Sequence, residues 1–378
     1  MGDDKRTRRS TRYRSLDGLR GLAAAVVVIH HCFLVSPDLA RAVAGSDTGN
    51  VESWVWWSTF TPLHLLWAGT EAVYVFFILS GFVLALPFVG TNRTAWRAYY
   101  AKRLVRIYLP VWASLVCALF LAWIVPRTGS SELSPWLLIH DESPNVVVDG
   151  VLIGGAGSLN SPLWSLQWEM LFSLALPLYA VLAARIRSAW FPCLLTSFSL
   201  IAVGTVLSVP AVVYMSMFGI GVLLAAKRNA LERFGRDLSR AKWIGLVASS
   251  MLLLSSRWLF PQLATVICMA CIGGALLVLV FIAWSPAVSF GNLRVLQWLG
   301  SRSFSLYLVH EPVVVSIAFA LRTTNPFLVA ALGIPLSLVA TEIFFRLVER
   351  PSLLLAGHVG RFAGNTVLRK SDLATAQQ

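Results

Sequence analysis

The chain has 378 residues, of which 57% are hydrophobic and only 13% charged, and its mean hydropathy is +0.71. A soluble domain carries about a quarter charged residues, so this composition excludes a water-soluble globular protein. The net charge of +13 raises nucleic acid as a partner, but its distribution along the chain argues against one.

Ten apolar spans are expected, at 16–36, 72–90, 108–125, 163–184, 189–207, 210–226, 243–260, 264–284, 303–321 and 327–348. Before the first lie Lys5, Arg6, Arg8, Arg9, Arg12 and Arg14. Arg93, Arg97, Lys102, Arg103 and Arg106 follow the second, and Arg185 and Arg187 the fourth. Lys227, Arg228, Arg233, Arg236, Arg240 and Lys242 follow the sixth, and Arg294 and Arg302 the eighth. The alternate loops hold little beyond Arg41, Arg127, Arg257 and Arg322. Every second loop is basic, so the positive-inside rule predicts an all-α, polytopic helical bundle with both termini in the cytoplasm. The charge is topology rather than a nucleic-acid surface, and the partner it implies is the bilayer. The location expected is the plasma membrane, crossed many times.

Residues 1–15 read as a basic cytoplasmic tail, 16–351 as the transmembrane domain and 352–378 as a mobile polar cytoplasmic tail. The basic start, the apolar run and "ARA" at 40–42 also fit a cleaved leader. The span-length run and the short loop after it favour a retained first helix. The five cysteines all fall in apolar runs and make no disulfide framework.

Within the first span, "LDGLRGLAAAVVVIHH" carries Arg20 and His31. Eleven helical residues advance three turns plus about 20°, so the two share a face, about 16 Å apart. Asp17 joins that face, while His30 points about 80° away. An ionisable group inside a membrane is costly and usually faces a cavity or a partner. Glu169, two turns into the fourth span, is expected at a similar depth to His31. So is His310, which shares a face with Ser303 and Tyr307 in the ninth. Three protonatable groups on separate helices predict a central polar cavity. At the cytoplasmic mouth Arg103 and Arg106, three apart, are suited to gripping phosphates through charge-assisted bonds. The loop at 37–71 holds Trp54, Trp56, Trp57, Trp67 and Glu71; the loop at 126–162 holds Asp141, Glu142, Asp149 and Asn160. Their tryptophans suit either sugar stacking or a membrane-interface belt. Glu71, Asn160 and the neighbouring Trp164 are the substrate-binding candidates.

The segments "LDGLRGLAAAVVVIHH", "VYVFFILSGFVLA", "KRLVRIYLP", "NSPLWSLQWE", "LGSRSFSLYLVHEP" and "FRLVERP", in that order, resemble the acyltransferase 3 family of bacterial membrane O-acyltransferases. The resemblance implies transfer of an acyl group, in the first instance acetyl, from cytoplasmic acyl-CoA to a hydroxyl of a carbohydrate or glycosylated acceptor. The family's Arg-x10-His motif maps onto Arg20 and His31, its Arg-x-x-Arg onto Arg103 and Arg106, and its aromatic–Ser–Gly segment onto Phe77, Ser80 and Gly81. On this reading Arg20, Arg103 and Arg106 hold the coenzyme A end and His31 is the general base. Glu169 sets the tautomer of His31, and Tyr307 or His310 stabilises the oxyanion. Direct transfer and a covalent acyl-enzyme relay both stay open. No metal is expected. The rival class is a transporter or flippase, whose substrate path also needs a polar cavity. It lacks visible two-fold repeats.

Overall fold

The computed structural model describes residues 13–45, 51–89, 96–127, 133–140, 144–185 and 189–375, with side chains to residue 363. Among the described residues the chain is helical, with no strand. Helix α1 (Arg14–Leu34) is followed by the short α2 (Pro37–Ala44) and α3 (Ser53–Thr59) and a 3-10 turn (Pro62–Leu66). Next come α4 (Gly69–Ala85) and the long α5 (Trp96–Ile124). The short α6 (Pro135–Leu138) and α7 (Val146–Val151) precede α8 (Leu163–Arg185), α9 (Trp190–Val206), α10 (Pro210–Arg236) and α11 (Arg240–Leu254). Then come α12 (Ser256–Leu259), α13 (Val266–Ala283), α14 (Ser285–Gly291), α15 (Arg294–Leu321) and α16 (Pro326–Phe344). A π-helical turn (Phe345–Glu349) joins α16 to α17 (Arg350–Thr375).

Each of the ten expected spans overlaps a helix, and the protein is a polytopic helical membrane protein. Among the described residues, seven helical runs are long and apolar enough to cross a bilayer: α1, α5, α8, α10, α13, α15 and Pro326–Ala363. The helices at the other three spans are shorter, α4 and α9 with 17 residues and α11 with 15. The span expected at 243–260 breaks at Ser255, where α11 ends and α12 starts.

Three helices run past their apolar segments. Helix α5 begins at Trp96 rather than 108, α10 continues to Arg236 rather than 226, and α15 begins at Arg294 rather than 303. Hydropathy marks where hydrocarbon ends, whereas a helix ends where a cap or a breaker stops it. The segment expected as a mobile polar tail is helical through Thr375. It packs on α5, burying Ala356 and setting Gly360 against the Lys102 side chain. A small-residue face on a polar helix is enough for that contact, and polarity alone concealed it.

Close approaches between glycines and backbone position the site. A Cβ on Gly300 of α15 would lie 1.9 Å from the Asp17 carbonyl oxygen of α1. One on Gly221 of α10 would lie 2.0 Å from the Ile78 carbonyl oxygen of α4. Small residues at such crossings let backbones touch, which is how membrane helices gain packing where lipid supplies no hydrophobic drive. Helices α1 and α15 therefore run in contact, and α4 packs between α1 and α10.

Candidate active site

His31 on α1 and His310 on α15 meet across this contact. His31 Nδ1 is 2.8 Å from His310 Nε2, and His310 Nδ1 is 2.8 Å from the Leu306 carbonyl oxygen. A carbonyl only accepts, so His310 Nδ1 carries a hydrogen. With His310 neutral, its Nε2 is then the acceptor and His31 Nδ1 the donor. This assigns the remaining nitrogen, His31 Nε2, as the unprotonated one in the neutral pair. The face of His31 is covered by Trp136 of α6, with ring centroids 5.4 Å apart and 27° between planes. Ser134 caps α6 by accepting from Leu137 N at 3.1 Å, which fixes that indole's helix in place. His30, by contrast, turns away and donates Nδ1–H to the Trp67 carbonyl at 2.9 Å.

A cavity of about 110 Å³ lies between α1, α4, α5, α8 and α15. Arg20, Arg103, Arg106, Glu169, Ser303 and Tyr307 line it, with Ser80, Ser165 and Phe77. The two arginines of α5 have different duties. Arg103 is buried, forms an ion pair with Glu169 and donates Nε–H to Ser173 Oγ at 2.9 Å. Arg20 and Arg106 have no hydrogen-bonded partner among the described residues and present free guanidinium donors to the cavity. Tyr307 marks the cavity's approach to the histidines: its hydroxyl is 2.7 Å from Ser165 Oγ and its ring centroid is 6.0 Å from that of His310.

The structure changes one expected pairing. Glu169 does not orient His31; it bonds Arg103 and accepts from Ser80 Oγ at 3.2 Å, while His310 holds the His31 ring. Equal depth in the membrane says nothing about which way a side chain points around its helix. Trp164 packs edge-on against Phe77 and beside Tyr214 rather than lining the arginine cavity. Asn160 is fully buried and donates Nδ2–H to the Leu308 carbonyl at 2.8 Å, which ties the loop before α8 to α15. Glu71 is buried in a separate cavity beyond His30, with Arg257 4.0 Å away. Asp141 and Glu142 lie outside the described residues.

Glu311, adjacent to His310, was missed. It is fully buried and accepts from both the backbone N–H and the hydroxyl of Ser161. His140 Nε2 lies 3.2 Å from its Oε1. A carboxylate in the middle of an apolar run ("VHEP") was the available signal, because such a group must find donors. Asp149, fully buried, accepts from the N–H groups of Gly157, Ser158 and Leu159 at 2.6, 3.0 and 2.8 Å, and so folds the loop that delivers Asn160 and Ser161.

A helical membrane bundle with a buried histidine pair and an arginine-lined cavity defines the class, and residues 13–346 match the model of the acyltransferase 3 family, described as an acyltransferase domain. The chain belongs to that family and is an acyltransferase; the transporter reading gives way. Among curated proteins it is 26% identical over 399 residues to acyltransferase MdmB of Streptomyces mycarofaciens, covering 92% of this chain and 94% of that protein. It is 22% identical over 423 residues to peptidoglycan O-acetyltransferase OatA of Listeria monocytogenes serovar 1/2a, covering 94% of this chain and 59% of that protein. No solved structure matches.

Proposed function

We propose that the protein moves an acyl group, in the first instance acetyl, from acyl-CoA to a hydroxyl of a carbohydrate or glycosylated acceptor in the cytoplasmic membrane. The observation that carries this reading is the hydrogen-bonded chain Leu306 O, His310, His31, which leaves His31 Nε2 as a lone-pair base. The name of the OatA relative supports a glycan acceptor.

In this mechanism His31 Nε2 takes the proton of the acceptor hydroxyl as its oxygen attacks the thioester carbonyl. The tetrahedral intermediate collapses, the C–S bond breaks, and His31 returns the proton to the departing thiolate. The charge that forms on His31 is stabilised through Nδ1–H by His310, the place an acid holds in a catalytic triad. His310 has both ring nitrogens engaged, so Tyr307, paired with Ser165, is the donor left for the oxyanion. Arg20 and Arg106 hold the donor's phosphates by charge-assisted bonds. Arg103 positions Glu169 rather than the donor.

The test uses the full chain in lipid nanodiscs with radiolabelled acetyl-CoA and soluble peptidoglycan fragments, paired with mass spectrometry of envelope glycans from cells with and without the gene. Transfer that depends on His31 and an acyl mass lost with the gene support the reading. Transfer retained by His31→Ala removes the base assignment, and unchanged glycans remove the carbohydrate acceptor.

A further inference from the structure

A second cavity, of about 220 Å³, opens at the His31 end of α1, away from the arginine-lined one. Its walls include His30, Thr59, His64, Glu71, Arg257 and Trp258. Three polar atoms there, Glu71 Oε1, Thr59 Oγ1 and Trp258 Nε1, are buried and have no hydrogen-bond partner among the described residues. Their side chains are well sequestered: Glu71 is 4% exposed, Thr59 1% and Trp258 7%. Arg257 Nη1 stands 4.0 Å from Glu71 Oε1, too far for a hydrogen bond. Orphaned buried polar atoms are uncommon in native proteins, and each needs an explanation. Here three of them belong to residues from separate segments that wall one space.

The walls are held rigidly. The His64 ring is sandwiched between Trp67, at 4.2 Å and 7°, and Trp258, at 4.1 Å and 11°. Its Nδ1–H donates to the Thr59 carbonyl at 2.8 Å, and burial pulls its pKa down to about 3, so it is neutral at ordinary pH. Stacking keeps the Trp258 indole from swinging to another partner. His30 also lines the cavity, with its ring centroid 5.5 Å from that of His31.

We propose that this cavity is the acceptor subsite and that it takes a neutral, hydroxyl-rich ring of hexose size. Glu71 accepts from ring hydroxyls, Trp258 donates to one, and Thr59 does either. The assignment rests on the acyl-transfer reading and supplies its second substrate with a place. A carboxyl and a guanidinium side by side oppose an anion and a cation alike, whereas a polyol satisfies both and pairs every orphaned atom. The ring would then sit one histidine away from the base.

The full chain in nanodiscs is titrated with methyl β-D-glucopyranoside, methyl β-D-galactopyranoside and N-acetylglucosamine, with glucuronate and glucosamine as charged controls. Melting temperature and saturable binding are read. At least one neutral sugar is expected to bind more tightly than either charged control. Glu71→Gln and Trp258→Phe, both near-isosteric, should each weaken that binding by about tenfold or more, measured against each variant's own unliganded melting temperature. His31→Ala should bind the sugar as wild type does while failing to transfer. Absence of saturable binding by every sugar, the result if the cavity holds only water, overturns the proposal. So does sugar binding that both cavity variants leave unchanged. Glu71-dependent sugar binding by a protein that transfers nothing from acyl-CoA would keep the subsite and sink the donor reading instead.

Discussion

The protonation of His31 is dictated two residues away, by a backbone carbonyl that accepts from His310. Removing the base and removing its partner should therefore differ in kind. His31→Ala is expected to lower kcat by about 10²–10⁴, the usual worth of a general base. His310→Ala should lower kcat as well but leave the KM for acyl-CoA close to wild type, since it loses only the tautomer. Equal KM increases in His310→Ala would make its role donor binding. The two α5 arginines should also separate. Arg106→Ala loses a charge-assisted contact of about 1.5–3 kcal/mol, which raises the KM for acyl-CoA roughly tenfold or more with little change in melting temperature. Arg106→Lys should restore part of it, since an ammonium keeps charge but lacks the planar fork. Arg103→Ala instead strands Glu169 and should cost roughly 1–3 kcal/mol of stability, part of which returns when Glu169→Gln is added. A reversed pattern, Arg106 structural and Arg103 kinetic, would overturn this division. The arginine spacing was legible in the sequence; which arginine was already taken was not, because Glu169 and Ser173 approach from another helix.

Between elements, the α1–α15 crossing is the contact on which the histidine pair depends. Gly300→Val places branched carbon where a single Cβ already falls 1.9 Å from Asp17 O. The helices must separate, at a cost of about 1–3 kcal/mol or more, and His31 and His310 part with them. Lower thermal stability together with lost transfer is expected; a stable, active Gly300→Val protein would show that the pairing survives a shifted crossing. The same scale explains where hydropathy succeeded and failed. It placed a helix at every expected apolar run, seven of them long enough to cross a bilayer, but missed the break at Ser255. It shortens α5, α10 and α15 because their basic turns continue the helix past the apolar run, and it reads α17 as a loose tail.

For the whole molecule, the two cavities lie toward opposite ends of α1, one beside Arg20 and the other beside His30. If the positive-inside rule holds for this chain, the Arg20 end faces the cytoplasm, and on the proposed function acyl-CoA should enter from inside and the acceptor from outside. Reporter fusions at Arg236 should read cytoplasmic and one within 144–162 external; the opposite reading for either loop would invert that direction. In sealed vesicles, transfer should require acyl-CoA on the face where the Arg236 reporter reads. The membrane class, the places of the apolar helical runs, the family and the register that sets Arg20 and His31 on one face were legible in the chain alone, because composition, motif order and periodicity are properties of single segments. The packing of the helices is what pairs His31 with His310 and not Glu169, spends Arg103 on Glu169, holds Glu311 on Ser161 and brings Thr59, Glu71 and Trp258 to one cavity. Those facts depend on how helices rotate and approach one another, and that is set by glycine contacts and loop folding spread across the chain, which no local pattern encodes.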